Sequence, residues 1–210
     1  MKSTIFFIQF FLLTSTLSFS QDFEGQITYG NNYRSNIENI SDLQLTAMMG
    51  EIQEFYIKNG NYKSILSGNY LLWQLYRNKE NKLYNKFAQS LAIMWNDCKE
   101  NSDSIISTII NKNVVEILGY RCDELIVRST SGVQKYYYNE KIKADDKLFI
   151  FHKYSNWDKV VLLTKSLPLK TIIENNQYSF ESIAIKIKEY NLEDSMFILP
   201  TDAVLEKSLY

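Results

Sequence analysis

Glu54-Phe-Tyr-Ile-Lys58 and Asn61-Tyr-Lys-Ser-Ile65 stand on either side of Asn59-Gly60, and this stretch decides the fold class. Both turn residues accept a positive φ, which makes the pair a strong signal for a two-residue hairpin. Such a turn sets the register, with Ile57 opposite Tyr62 and Phe55 opposite Ser64. Outward from there, Phe23-Glu-Gly-Gln-Ile-Thr-Tyr29 alternates, placing Phe23, Gly25, Ile27 and Tyr29 on one face. Residues 70–76 and 82–87 form a second hairpin around the polar turn 78–81. Residues 120–128 and 133–139 form a third through Ser131-Gly132, which would set Val127 against Tyr136 and Leu125 against Tyr138. That register also opposes Arg128 to Lys135, so a longer loop stays open. Residues 177–190 and 195–199 read as the last strands, with Ile183, Ile185 and Ile187 alternating against Ala184, Lys186 and Lys188.

Two stretches carry helical signals. Ser41 and Gln44 make a capping box, with Gly50 as a stop after Met49. In residues 156–165, Trp157, Val160, Val161 and Thr164 recur at helical spacing, with Asp158 early and Lys165 late as the macrodipole prefers. The expectation is a mainly β (α+β) chain, antiparallel, with two short helices, in a single domain over residues 21–210.

Composition narrows the function classes. The 210 residues carry 23 Lys and Arg against 24 Asp and Glu, a net charge of −1, so no nucleic-acid partner is expected. At 45% hydrophobic the chain can bury a core. His152 is the sole histidine, which removes most metal centres and any Ser-His or Cys-His mechanism not built on it. Neither a phosphate loop, a nucleophile elbow nor a zinc-binding helix motif occurs. No catalytic residue, metal or cofactor is assigned, and an exported hydrolase working through paired carboxylates ranks last among the readings.

Residues 1–20 read as a secretory signal peptide: Lys2, an apolar run from Ile5 to Leu13, then Ser18-Phe-Ser20 before the cut. Without a cysteine at the cut there is no lipid attachment, and no later stretch is apolar enough to span a membrane. The expected location is the periplasm or the medium, as a monomer. In an oxidising compartment the pair Cys98 and Cys122 is most simply one disulfide. It would close a loop of 122 − 98 = 24 residues, worth roughly 3 kcal/mol in the chain-entropy model.

Several motifs occur in a fixed order: Phe23-Glu-Gly-Gln-Ile-Thr-Tyr29, Phe55-Tyr-Ile-Lys-Asn-Gly60, Ile117-Leu-Gly-Tyr-Arg-Cys122, Lys135-Tyr-Tyr-Tyr-Asn-Glu140, Leu167-Pro-Leu-Lys170 and Asp194-Ser-Met-Phe-Ile-Leu-Pro200. In these the chain resembles an exported Bacteroidetes domain family of unknown function (the DUF4412 type), a neighbour of the GLPGLI porters. Ser166-Leu-Pro-Leu-Lys170 stands where the porters carry their name motif. The resemblance implies a fold like the lipoprotein carriers LolA and LolB: an incomplete antiparallel barrel with two short helices covering its concave face. By that analogy the cavity would be lined by Met48 and Met49 of the first helix, Trp73, Leu75, Leu125, Val127, Tyr136 and Tyr138 of the sheet, and Val160 and Val161 of the second helix. Flexible thioethers suit a surface that repacks around a ligand. The implied partner is an apolar ligand, lipid or lipoprotein. The alternative is a cell-envelope structural or interaction domain with a filled core. Asp103-Ser104-Ile105 also resembles the Bacteroidetes O-glycosylation sequence, with Ser104 as acceptor.

Overall fold

The Asn59-Gly60 turn forms as its residues dictate, with φ of 49° and 75°, and the strands it joins pair Ile57 with Tyr62 and Phe55 with Ser64. Around this hairpin the computed structural model describes residues 22–208; the expected signal peptide lies outside them. The elements are β1 (Gly25–Ser35), α1 (Asp42–Met49), β2 (Ile52–Lys58), β3 (Asn61–Leu66), β4 (Leu71–Arg77), β5 (Lys82–Phe87), β6 (Ile93–Asp97), β7 (Ile105–Ile117), β8 (Tyr120–Ser129), β9 (Gly132–Lys143), α2 (Trp157–Thr164), β10 (Ser166–Glu174), β11 (Tyr178–Glu189) and β12 (Leu205–Lys207). Among the described residues no helix is long and apolar enough to cross a membrane.

All twelve strands join one sheet in the order β12-β6-β5-β4-β3-β2-β1-β11-β10-β9-β8-β7, whose edges β12 and β7 do not meet. The fold is a mainly β, incomplete barrel with two short helices. Its curvature follows from aromatic spacing. β4 and β9 are six strands apart, about 29 Å in a flat sheet at roughly 4.8 Å per strand. Yet Tyr76 of β4 touches Phe149 at 6.1 Å, Phe149 touches Trp157 at 6.4 Å, and Trp157 touches Tyr136 of β9 at 6.4 Å. Three such steps cannot bridge a flat sheet, so it curls around residues 145–165.

That segment fills the lower part of the concave face. Phe149, Val161 and His152 are each 1% exposed or less, and they pack with Ile27, Ile57, Tyr76, Leu83 and Leu169. The alternation in β1 holds: Phe23, Gly25, Ile27 and Tyr29 all face inward.

Four expectations need correction. First, one pairing is parallel: β12 runs alongside β6, because the C-terminal segment crosses the outer face before reaching that edge. Second, the third hairpin turns at Thr130-Ser131, pairing Ser129 with Gly132, Leu125 with Tyr136 and Asp123 with Tyr138. Asp103 explains the choice: its carboxylate accepts from the Ser131 amide at 2.9 Å and from the Thr130 and Ser131 hydroxyls at 2.9 and 2.8 Å. The shift also separates Arg128 from Lys135. Third, residues 195–199 are not a strand; residues 194–197 form a single 3-10 turn. Fourth, the isoleucines 183, 185 and 187 do not share one buried face. A bulge between Thr28 and Tyr29 moves the register, so Ala184 turns inward at 3% exposure and Ile185 outward at 50%.

Candidate functional site

Above the filled base, the concave face stays open as a cavity of about 430 Å³. Its walls come from both halves of the sheet: Phe55, Tyr62 and Gln74 from β2, β3 and β4 on one side, Tyr136 and Phe180 from β9 and β11 on the other. Trp157 forms the floor at the start of α2. Leu45 and Met49 of α1 reach the rim. α1 sits there because its ends are fixed. The Ser41 hydroxyl accepts from the Gln44 amide, Gln44 returns the bond, and the Gly50 amide donates to Thr46.

The rings form two packed groups. Tyr33 lies against Phe180 at 4.9 Å, and Phe55, Tyr62 and Tyr76 stack in sequence at 5.5 and 5.1 Å. Burial holds the Tyr33, Tyr62 and Tyr136 hydroxyls well above the usual phenol range, so they stay protonated. The Tyr62 hydroxyl shares a 2.8 Å hydrogen bond with His152 Nε2, which ties the cavity wall to the plug beneath it. Burial lowers the His152 pKa to about 4, with Asp158 pulling weakly the other way, so the imidazole is neutral at pH 7.

The polar groups lie mostly on one wall. Gln53 Nε2 donates to Ser64 Oγ at 2.9 Å, Gln74 Nε2 donates to Asn85 Oδ1 at 2.8 Å, and Asn85 Nδ2 donates to Asn96 Oδ1 at 3.0 Å. Ser64 and Gln74 are directly paired across β3 and β4, so a ladder of amides and a hydroxyl climbs across five strands. No Asp, Glu, Lys, Arg or His lines the cavity among the described residues. A wider groove of about 610 Å³ lies on the other side of α1, walled by Arg34, Asp42 and Glu181. Its charged, open walls lack the converging rings of the concave cavity.

Of the ten expected lining residues, the structure brings Met49 and Tyr136 to the cavity. Met48 is half-buried beside it without lining it. Trp73 and Leu75 point to the convex face, where Leu192 and Phe197 cover them. Neighbouring residues on a strand face opposite ways, so Gln74 takes the inner position. Leu125, Val127, Tyr138 and Val160 pack α2 onto β8 and β9, and Val161 belongs to the main core; four of these five are at most 1% exposed and Tyr138 is 6% exposed, leaving no face for a ligand. Gln53, Ser64 and Gln74 are lining residues that apolarity does not mark. The signal for them was the hairpin register: extending the Phe55–Ser64 pair along β2 and across to β4 reaches both glutamines.

The expected disulfide is absent. Cys98 and Cys122 are buried free thiols. Each sulfur instead lies near a backbone carbonyl two residues upstream, Asn96 and Tyr120. The shared core around them is what the cysteine count could not reveal: a buried thiol packs as a small apolar group. Ser104 is exposed just before β7. Among the described residues no group of three His, Cys, Asp or Glu side chains could hold a metal.

No protein-family model matches the chain, and no curated protein matches it. Among solved structures it is similar to PNGF-II in a C2 crystal, at 14% identity and a TM-score of 0.45, over 87% of this chain and 30% of that one. PNGF-II in a P21 crystal gives 13% identity and 0.46, over 89% and 32%. This chain spans about a third of those structures' length.

Proposed function

We propose that this protein is exported to the periplasm and there holds an apolar ligand, a lipid or the acyl part of a lipoprotein, in the concave cavity, without catalysing a reaction. The observation that carries the reading is the cavity itself. About 430 Å³ of the concave face is left unfilled, within the range of roughly 300–1,000 Å³ usual for small-molecule sites. Its rings would otherwise meet water at a cost of roughly 25 cal/mol per Å². The non-catalytic part rests on the neighbours of Ser64. Gln53 and Gln74 are amides, which cannot take its proton as a base would. The place beside the LolA and LolB carriers belongs to the same proposal and rests on the motif resemblance.

The second reading, a structural or interaction domain with a filled core, draws on the plug of Phe149, His152 and Val161 that already occupies the base. Two measurements separate them. Native mass spectrometry of protein purified from a bacterial periplasm is expected to show a co-purifying apolar molecule, and titration with the uncharged dye Nile red to give saturable one-to-one binding. A clean apo mass together with no dye uptake would establish the filled-core reading instead.

A further inference from the structure

The lining of the cavity goes further than apolarity, and the next step rests on the binding reading above. We infer that the cavity selects an uncharged amphiphile, one whose polar head carries a hydroxyl or an amide N–H and carbonyl seated on Gln53, Ser64 and Gln74. Three observations converge on that class.

The first is electrical. No charged side chain lines the cavity among the described residues, and the tyrosines there are held protonated by burial. An ionised head carried inside would lose its hydration with no opposite charge to replace it, which is far more costly than moving a neutral polar group onto hydrogen-bond partners.

The second is the state of the polar wall. Gln53 and Gln74 each commit one amide N–H to a neighbour, to Ser64 and Asn85, which leaves their carbonyl oxygens as acceptors. Ser64 is 3% exposed. Its oxygen accepts from Gln53, and among the described residues its own hydrogen meets no acceptor. The wall thus offers a hydroxyl donor between two amide acceptors, matched to a group that both gives and takes a hydrogen bond.

The third is the division of the walls. The amide ladder runs up β2, β3 and β4, whereas Tyr33, Tyr136 and Phe180 face it from β1, β9 and β11. A ligand with one polar end and one apolar body satisfies both sides at once. A pure hydrocarbon would leave the Ser64 donor dry, and an anion would find no cation.

Isothermal titration of the purified protein at pH 8 with octanol, monooctanoylglycerol and octanoate, each below its micelle concentration, tests this. The two neutral probes are expected to bind at least about tenfold more tightly than octanoate, a factor equal to about 1.4 kcal/mol. Gln53→Leu should reduce monooctanoylglycerol affinity while Nile red binding persists and the circular dichroism spectrum is unchanged. Octanoate binding as tightly as the neutral probes would overturn the inference and leave the apolar-site reading standing. Failure of all three probes and of Nile red would overturn both.

Discussion

His152 is 1% exposed, packed against Tyr76 at 4.2 Å with the rings tilted by 39° and joined through Nε2 to Tyr62, while its Nδ1 has no partner. Burial takes its pKa from 6.5 to about 4. The folded ring is harder to protonate than the unfolded one. Its contribution is therefore complete above pH 6.5 and is lost as the pH falls toward 4, roughly 3 kcal/mol over the whole window. Urea unfolding at pH 7 and pH 4.5 should show His152→Phe losing about 2 kcal/mol less than the native protein between the two pH values; equal losses would refute the assignment. The cysteines make a second prediction at this scale. Burial pushes the Cys98 thiol to about 12 and the Cys122 thiol to about 11, so neither forms thiolate near neutrality. Ellman's reagent should find almost no reactive thiol in the folded protein and two after denaturation. A count of zero in denaturant would mean a disulfide after all.

At the scale of elements, α1 depends on a close backbone approach. A Cβ on Gly68 would lie 2.3 Å from the Met48 carbonyl oxygen and 2.7 Å from the Gly50 nitrogen, atoms that cannot rotate away. Gly68→Ala should lift the end of α1, breaking the bonds from Asn69 to Ala47 and Tyr70 to Met48, both 3.0 Å. The expected loss is roughly 1–3 kcal/mol in thermal or urea unfolding, with weaker Nile red binding as Leu45 and Met49 leave the rim. Gly30→Ala is the control, because its Cβ would meet only Ile185 Cγ2 at 3.6 Å. Both helices and the Asn59-Gly60 hairpin were readable because caps, periodicity and turn chemistry act within a few residues. The third hairpin misled by two positions because its turn is chosen by Asp103, distant in sequence. β6, β7, β10 and β12 escaped notice. In β7 the burial runs exposed for nine of thirteen positions in a row, so the sheet edge erases the alternation that marks a half-buried strand.

For the whole molecule, the cavity is the property to perturb. Thr171 of β10 lines it and is half-buried, so Thr171→Phe should fill space rather than displace core. Nile red affinity is expected to fall at least about tenfold, with the unfolding midpoint nearly unchanged; undiminished binding would place the dye elsewhere. Local pattern in the sequence determined most of the strands, the Asn59-Gly60 hairpin, the capping box of α1, the helical spacing of α2 and a mainly β chain too apolar to stay unfolded. Which face of each strand looks inward at β4, where the plug ends and the open space begins, and how the two thiols are housed were decided only in three dimensions. Trp73 and Leu75 show why. They are the greasier side of β4, yet they face out, since residues from the far C-terminus cover them and leave Gln74 to the cavity. Hydrophobicity says that a side chain will be covered; the partner that covers it is supplied by chain closure across more than a hundred residues.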